Sequence, residues 1–231
     1  MKGLLPLLAR VRRRDRGSLR HAVLSLALIG VGAPVAFAAD AAPVLRSLED
    51  AGRALKTMKA LFVETRVSVL LDETAEARGE VALAVPGRFR WDYKTPQPSV
   101  MLVKDGQFAR YLPHSKQVFR GPAKGEADLL VGFGPGAAGL GNKYDASLVG
   151  EERVGEAAAY VLDLKTRKGQ SGLFAAIRLW VDKARFIPVQ TRLTEPTGDH
   201  TTVRFEQVVI NGPLAAKAFE LTLPKDVVEV K

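Results

Sequence analysis

The chain has 231 residues, 47% hydrophobic and 26% charged, which is long enough to bury a core of its own. It contains no cysteine, which excludes disulfides, thiolate nucleophiles, thiolate metal sites and a lipid attached through an N-terminal cysteine. Of the formal +9 charge, residues 1–38 supply seven basic and one acidic side chain; the remaining 27 basic and 24 acidic residues leave +3, too weak and too evenly spread to argue for nucleic acid.

The first forty residues read as a targeting segment. Lys2, Arg10, Arg12, Arg13, Arg14, Arg16 and Arg20 precede an apolar run from Ala22 to Val35, and Ala36-Phe37-Ala38 supplies the small-x-small pattern of a signal-peptidase site. The run has 14 residues, broken by Gly30, Gly32 and Pro34, whereas a spanning helix needs about 20. The predicted organisation is a secretion signal over residues 1–38 and one domain over residues 39–231.

Pro43 to Ala60 is the one long predicted helix. Val44, Leu48, Ala51, Leu55 and Met58 recur at three- and four-residue spacing, with Arg46, Glu49, Asp50, Arg53, Lys56 and Lys59 elsewhere. Such a helix packs its apolar side on a sheet, and Leu48, Leu55 and Met58 are its candidate lid residues. From Leu61 the period becomes two. Strands are predicted at Leu61 to Leu71, Gly79 to Val85, Arg88 to Tyr93, Ser99 to Lys104, Gln107 to Leu112 and Gln117 to Arg120. Asp105-Gly106 marks a two-residue hairpin turn. The stretch Gly121 to Tyr144 breaks the pattern with a short helix candidate, Glu126 to Val131, and a run of glycines that predicts a mobile loop. Strands resume at Ala158 to Lys165, Ala176 to Asp182, Ile187 to Leu193, Thr201 to Ile210 and Phe219 to Leu223. The fold class is therefore mainly β: a curved antiparallel sheet of about eleven strands forming an incomplete barrel, covered by the N-terminal helix and short helices or loops.

Signals for chemistry are few. Gly134-Pro135-Gly136-Ala137-Ala138-Gly139 spells the dinucleotide fingerprint, but no strand-helix-strand unit surrounds it. His114 and His200 sit in predicted turns without clustered carboxylates, and no serine occupies a nucleophile elbow. The sequence predicts no catalytic residue, no metal and no cofactor. The informative feature is Arg88-Phe89-Arg90-Trp91-Asp92-Tyr93, where strand alternation puts three aromatics on one face and the charges on the other. That face is either a core stripe or the wall of a cavity for an apolar ligand. Phe89, Trp91 and Tyr93, with Val81, Leu83, Met101 and Val103, are the candidate lining residues.

These residues resemble the LolA family of periplasmic outer-membrane lipoprotein carriers. The resemblance runs through Leu61-Phe62-Val63-Glu64-Thr65, Gly79-Glu80-Val81, Pro86 to Tyr93, Pro96, Val103 to Gly106 and Tyr111-Leu112-Pro113. It returns at Leu179 to Asp182, Thr201 to Phe205 and Phe219 to Pro224. It implies an incomplete barrel closed by helices, whose interior shelters lipoprotein acyl chains on the way from the inner to the outer membrane. It further implies a periplasmic monomer that serves an inner-membrane lipoprotein-release transporter and an outer-membrane acceptor. Carriage of another lipid or acylated molecule, and an envelope-stress sensor domain, are the alternatives within the same resemblance. Well-known members place an arginine directly before the proline of the aromatic block, where it ties the sheet to the lid; here that position is Val85.

Overall fold

Two-residue alternation governs the chain after its one long helix, and the computed structural model, which describes residues 40–123, 130–167 and 174–230, folds these residues into a single twelve-stranded sheet. The predicted secretion signal lies outside the described residues, as do residues 126–129 of the short helix expected at Glu126 to Val131. No helix among the described residues is long and apolar enough to cross a membrane.

Helix α1 (Ala42–Ala54) has Pro43 in its first turn, and the Asp40 carboxylate accepts the Ala42 N–H at 2.9 Å. Val44, Leu45 and Leu48 form its buried side. The helix stops at Ala54 rather than running to Ala60, because Met58, Ala60 and Phe62 also satisfy strand alternation: one neighbouring strand pairs with all three and the other with Met58 and Phe62. Asn211 enforces the break: its Oδ1 accepts the Lys56 N–H at 2.7 Å and its Nδ2 donates to the Ala54 carbonyl at 3.3 Å. Met58, expected on the lid helix, therefore stands on the first strand.

The first half of the chain forms β1 (Thr57–Ser68), β2 (Glu73–Ala84), β3 (Arg88–Thr95), β4 (Ser99–Lys104), β5 (Gln107–Leu112) and β6 (Gln117–Pro122). After a four-residue helix α2 (Leu140–Lys143), the second half forms β7 (Tyr144–Val154), β8 (Ala157–Thr166), β9 (Ala176–Asp182), β10 (Pro188–Thr194), β11 (His200–Ile210) and β12 (Val228–Val230). Asp105 and Gly106 both take positive φ, 51° and 73°, as the predicted hairpin turn requires. The sheet order β12-β6-β5-β4-β3-β2-β1-β11-β10-β9-β8-β7 shows two meanders joined where β1 pairs antiparallel with β11. Its edges, β12 and β7, do not meet, so the sheet is curved and open. Register shifts at Lys59/Leu61, Arg78/Gly79, Leu148/Gly150 and Pro188/Gln190 supply bends.

Two strand expectations need correction. β7 falls in a stretch read as irregular, because only Tyr144, Ala146 and Leu148 alternate inward before exposed Glu151 and Glu152 follow; it is an edge strand and mostly exposed. Phe219 to Leu223 is not a strand. It lies across the convex side, where Phe219 packs on Ala84 and Leu102, and the chain end supplies β12, parallel to β6, instead.

The β9–β10 turn is held by Asp182, which is 7% exposed and accepts the backbone N–H groups of Ala184 (2.8 Å) and Arg185 (2.9 Å) as well as the Arg185 guanidinium at 3.1 Å. Burial alone would raise its pKa. The backbone N–H groups of Arg185 and Ala184 and the Arg185 charge outweigh it and hold the carboxyl below its ordinary value. The unfolded chain then binds more protons in this range, so the stabilisation is complete above about pH 4 and is lost as pH falls through the folded value. Urea titrations of Asp182→Asn should show lower stability than wild type at pH 7, with the gap closing below about pH 4. A gap independent of pH would show that the carboxylate charge does not contribute.

Candidate functional site

Pairing carries the inward side chains across the sheet in rows. Leu83, Phe89, Val103 and Phe108 make one row, and Val81, Trp91, Met101 and Arg110 the next. Gly79, Tyr93 and Ser99 make the third. Across β1 the rows continue through Met58, Ala60 and Phe62 to Phe205 on β11. The concave face is thus apolar at one end and turns polar at the other.

The apolar end is closed. Leu55, Met58, Phe62, Val81, Leu83, Phe89, Trp91 and Val103 form one buried cluster, into which Leu130 and Phe133 insert from the segment between β6 and β7. Phe133 is 1% exposed and packs edge-to-face on Phe205 at 5.0 Å. Val44, Leu45 and Leu48 of α1 cover the neighbouring half of the face against Leu162, Leu164, Ile177 and Leu179. The glycines read as a mobile loop here permit close contact instead: a Cβ at Gly136 would lie 2.4 Å from the Leu130 carbonyl oxygen. A side chain at Gly52 would put its Cβ 2.4 Å from the Ala137 Cβ, so α1 rests directly on the turn at Gly134–Gly136. Gly134 is seated between Val85 and Leu55.

Of the expected lining residues, Val81, Leu83, Phe89 and Val103 lie in this sealed cluster, while Trp91, Tyr93 and Met101 also border a cavity of about 440 Å³ at the open end. Val203, Leu193 and Phe174 complete its apolar wall. Leu48 and Leu55 cover the interior; Met58 belongs to its floor. Arg88 and Arg90 face the convex side. The Arg88 guanidinium lies 5.5 Å over the Phe219 ring and Arg90 Nη1 donates to the Glu220 carbonyl at 2.7 Å, so neither takes the place of an arginine at Val85. Val85 itself meets the Gly134 turn through apolar contact.

Sequence reasoning missed the polar rim. Glu64, 5% exposed on β1, accepts the Tyr93 hydroxyl at 2.8 Å and pairs with Arg66 at 3.0 Å. Burial, and then the Glu64 charge, push the Tyr93 phenol well above its ordinary pKa, so the hydroxyl remains a donor. Glu64, Arg66, Tyr93 and Arg110 line both the large cavity and an adjoining one of about 270 Å³. The signal available was Glu64 at an inward register beside Phe62. The β1–β2 turn next to this mouth exposes Val69, Leu70 and Leu71, with Leu70 at 90%.

The structure is thus an open, curved sheet with an apolar concave face, helix-covered at one end and cavity-bearing at the other. The family model described as outer membrane lipoprotein carrier protein LolA matches residues 53–222, and the chain belongs to this family. The outer-membrane lipoprotein carrier protein of Legionella pneumophila (strain Lens) is 30% identical over 213 residues, covering 90% of this chain and 98% of the relative. That of Chromobacterium violaceum (strain ATCC 12472) is 26% identical over 205 residues, covering 89% and 94%. Among solved structures, an uncharacterized conserved protein from Thermus thermophilus superposes with a TM-score of 0.54 at 19% identity, covering 82% of this chain and 98% of that one. MucB superposes with a TM-score of 0.52 at 22% identity, covering 80% and 63%. Both likenesses are of fold.

Proposed function

We propose that this protein is a periplasmic chaperone that shelters the acyl chains of lipoproteins and carries them from the inner to the outer membrane. The observation that carries the reading is the continuous apolar concave face, roofed by α1 and the Phe133 segment and leading to a cavity at the mouth. Burial stabilises by about 0.8 kcal/mol per methylene, so one exposed acyl chain costs on the order of 10 kcal/mol, and a carrier must cover that surface. Loading requires the Phe133 segment and α1 to yield the interior. Release follows from transfer to a receptor that binds the chain more tightly, with no chemical step in the carrier.

Residues 1–38 direct export and are removed before Ala39, and the protein works as a monomer between an inner-membrane release transporter and an outer-membrane acceptor. The apolar tip at Val69, Leu70 and Leu71 stands beside the mouth, where such partners meet the cargo. Val85 in place of arginine favours a second reading, a carrier of a different acylated molecule such as a glycolipid, because it leaves the roof with apolar rather than ionic control.

A fluorescent fatty-acyl probe should bind and be displaced by a triacylated lipopeptide. Met101→Glu, at a half-buried wall position, should weaken probe binding by about tenfold, because a carboxylate, even one opposite Arg110, puts charge into the apolar wall, while the circular dichroism stays native. A folded variant that binds undiminished contradicts the site. Displacement by glycolipid and not by lipopeptide selects the second reading.

A further inference from the structure

The two tryptophans of this chain are treated differently by the fold. Trp180 faces the convex side, and its Nε1 donates to Glu152 at 2.7 Å. Trp91 faces the interior, is 2% exposed, and its Nε1 is sealed from solvent with no hydrogen-bond partner among the described residues. A buried N–H left unmade is destabilising, and a phenylalanine would fill an apolar wall without that penalty.

We infer that the Trp91 indole N–H is a hydrogen-bond donor held for a carbonyl oxygen of the bound acyl group, an ester or amide. The inference rests on the acyl-carrier reading and adds to it a polar recognition element inside the apolar site.

Position supports the assignment. Trp91 borders the 440 Å³ cavity together with Met101, Leu193 and Val203, one row deeper than Tyr93 and the Glu64 carboxylate. It therefore stands between the hydrocarbon-lined interior and the charged mouth, the level at which an acylated ligand changes from chain to head group. Hydrocarbon has no acceptor to offer there; an ester or amide carbonyl does. The nearby Tyr93 hydroxyl is already committed to Glu64 at 2.8 Å, so it is not the donor. Phe62 at 4.9 Å and Phe205 at 6.2 Å pack against the ring, and its sealed Nε1 is uncovered when the Phe133 segment and α1 yield the interior on loading.

The test is a proton–nitrogen correlation spectrum of the protein labelled at its two indole nitrogens, titrated with a long-chain fatty-acyl methyl ester and, separately, with the n-alkane of equal length. The ester should move the Trp91 indole proton downfield and leave Trp180 in place, and should show a lowered carbonyl stretching frequency. The alkane should bind without the downfield shift. Trp91→Phe should lower the ratio of ester to alkane affinity on the order of tenfold, since the lost wall area acts on both ligands and the lost N–H on the ester alone. Ester binding with neither the indole shift nor the carbonyl shift overturns the inference and leaves the carrier reading intact. Failure of both ligands to bind the wild-type protein overturns the carrier reading as well. The wild-type indole shift needs no variant and stands if Trp91→Phe fails to fold.

Discussion

Phe133→Ala should melt well below the wild-type protein and yet bind an acyl probe more tightly. Phe133 is 1% exposed against Phe205 and belongs to the cluster formed by the candidate lining residues, so its removal empties part of the interior. Loss of a buried phenyl costs about 3–5 kcal/mol. In the carrier account the same ring occupies space that cargo must take, so every kcal/mol withdrawn from the closed state is returned as a larger binding-competent fraction. Calorimetry paired with probe titration gives the two signs separately. A variant that is destabilised and also binds more weakly shows that Phe133 is ordinary core and that the ligand goes elsewhere.

The second large effect falls on Gly79. Its missing side chain makes room for the Phe62 ring: a Cβ there would lie 2.8 Å from two ring carbons and 1.9 Å from the Asp92 carbonyl oxygen. Phe62 in turn holds Trp91 at 4.9 Å and Tyr93 at 5.1 Å. Gly79→Ala is therefore expected to destabilise by about 3 kcal/mol or more, as overpacking against backbone does, and to disturb the Tyr93–Glu64 bond at the mouth. Denaturant unfolding monitored by near-ultraviolet circular dichroism measures both. Wild-type stability in Gly79→Ala contradicts the packing described for this row.

What the sequence showed well was whatever alternation controls. Phe89, Trp91 and Tyr93 share the concave side because strand period leaves no other choice, and Asp105-Gly106 announced its hairpin through turn chemistry. The helix was overextended because Leu55 and Met58 continue the helical spacing, while Met58 also opens the alternation Met58, Ala60, Phe62; the bonds from Asn211, far along the chain, decide between them. β7 stayed hidden because its inward alternation, Tyr144, Ala146 and Leu148, is short and gives way to exposed residues such as Glu151 and Glu152. The glycines at 134–139 looked loose, but Gly136 lies tight against the Leu130 carbonyl and Gly134 against Val85, while Gly52 lets α1 approach Ala137, tertiary facts with no local signature. The Glu64–Arg66–Tyr93 rim was out of reach for the same reason, since it joins β1 to β3 across the sheet.

Native mass spectrometry of the protein purified from the periplasm of its own host, with and without detergent stripping, addresses the central claim most directly. A detergent-labile adduct with the mass of a triacylated protein is the expected result. If nothing apolar co-purifies, and the fatty-acyl probe also fails to bind the stripped protein, the concave face is core alone and the carrier account is contradicted.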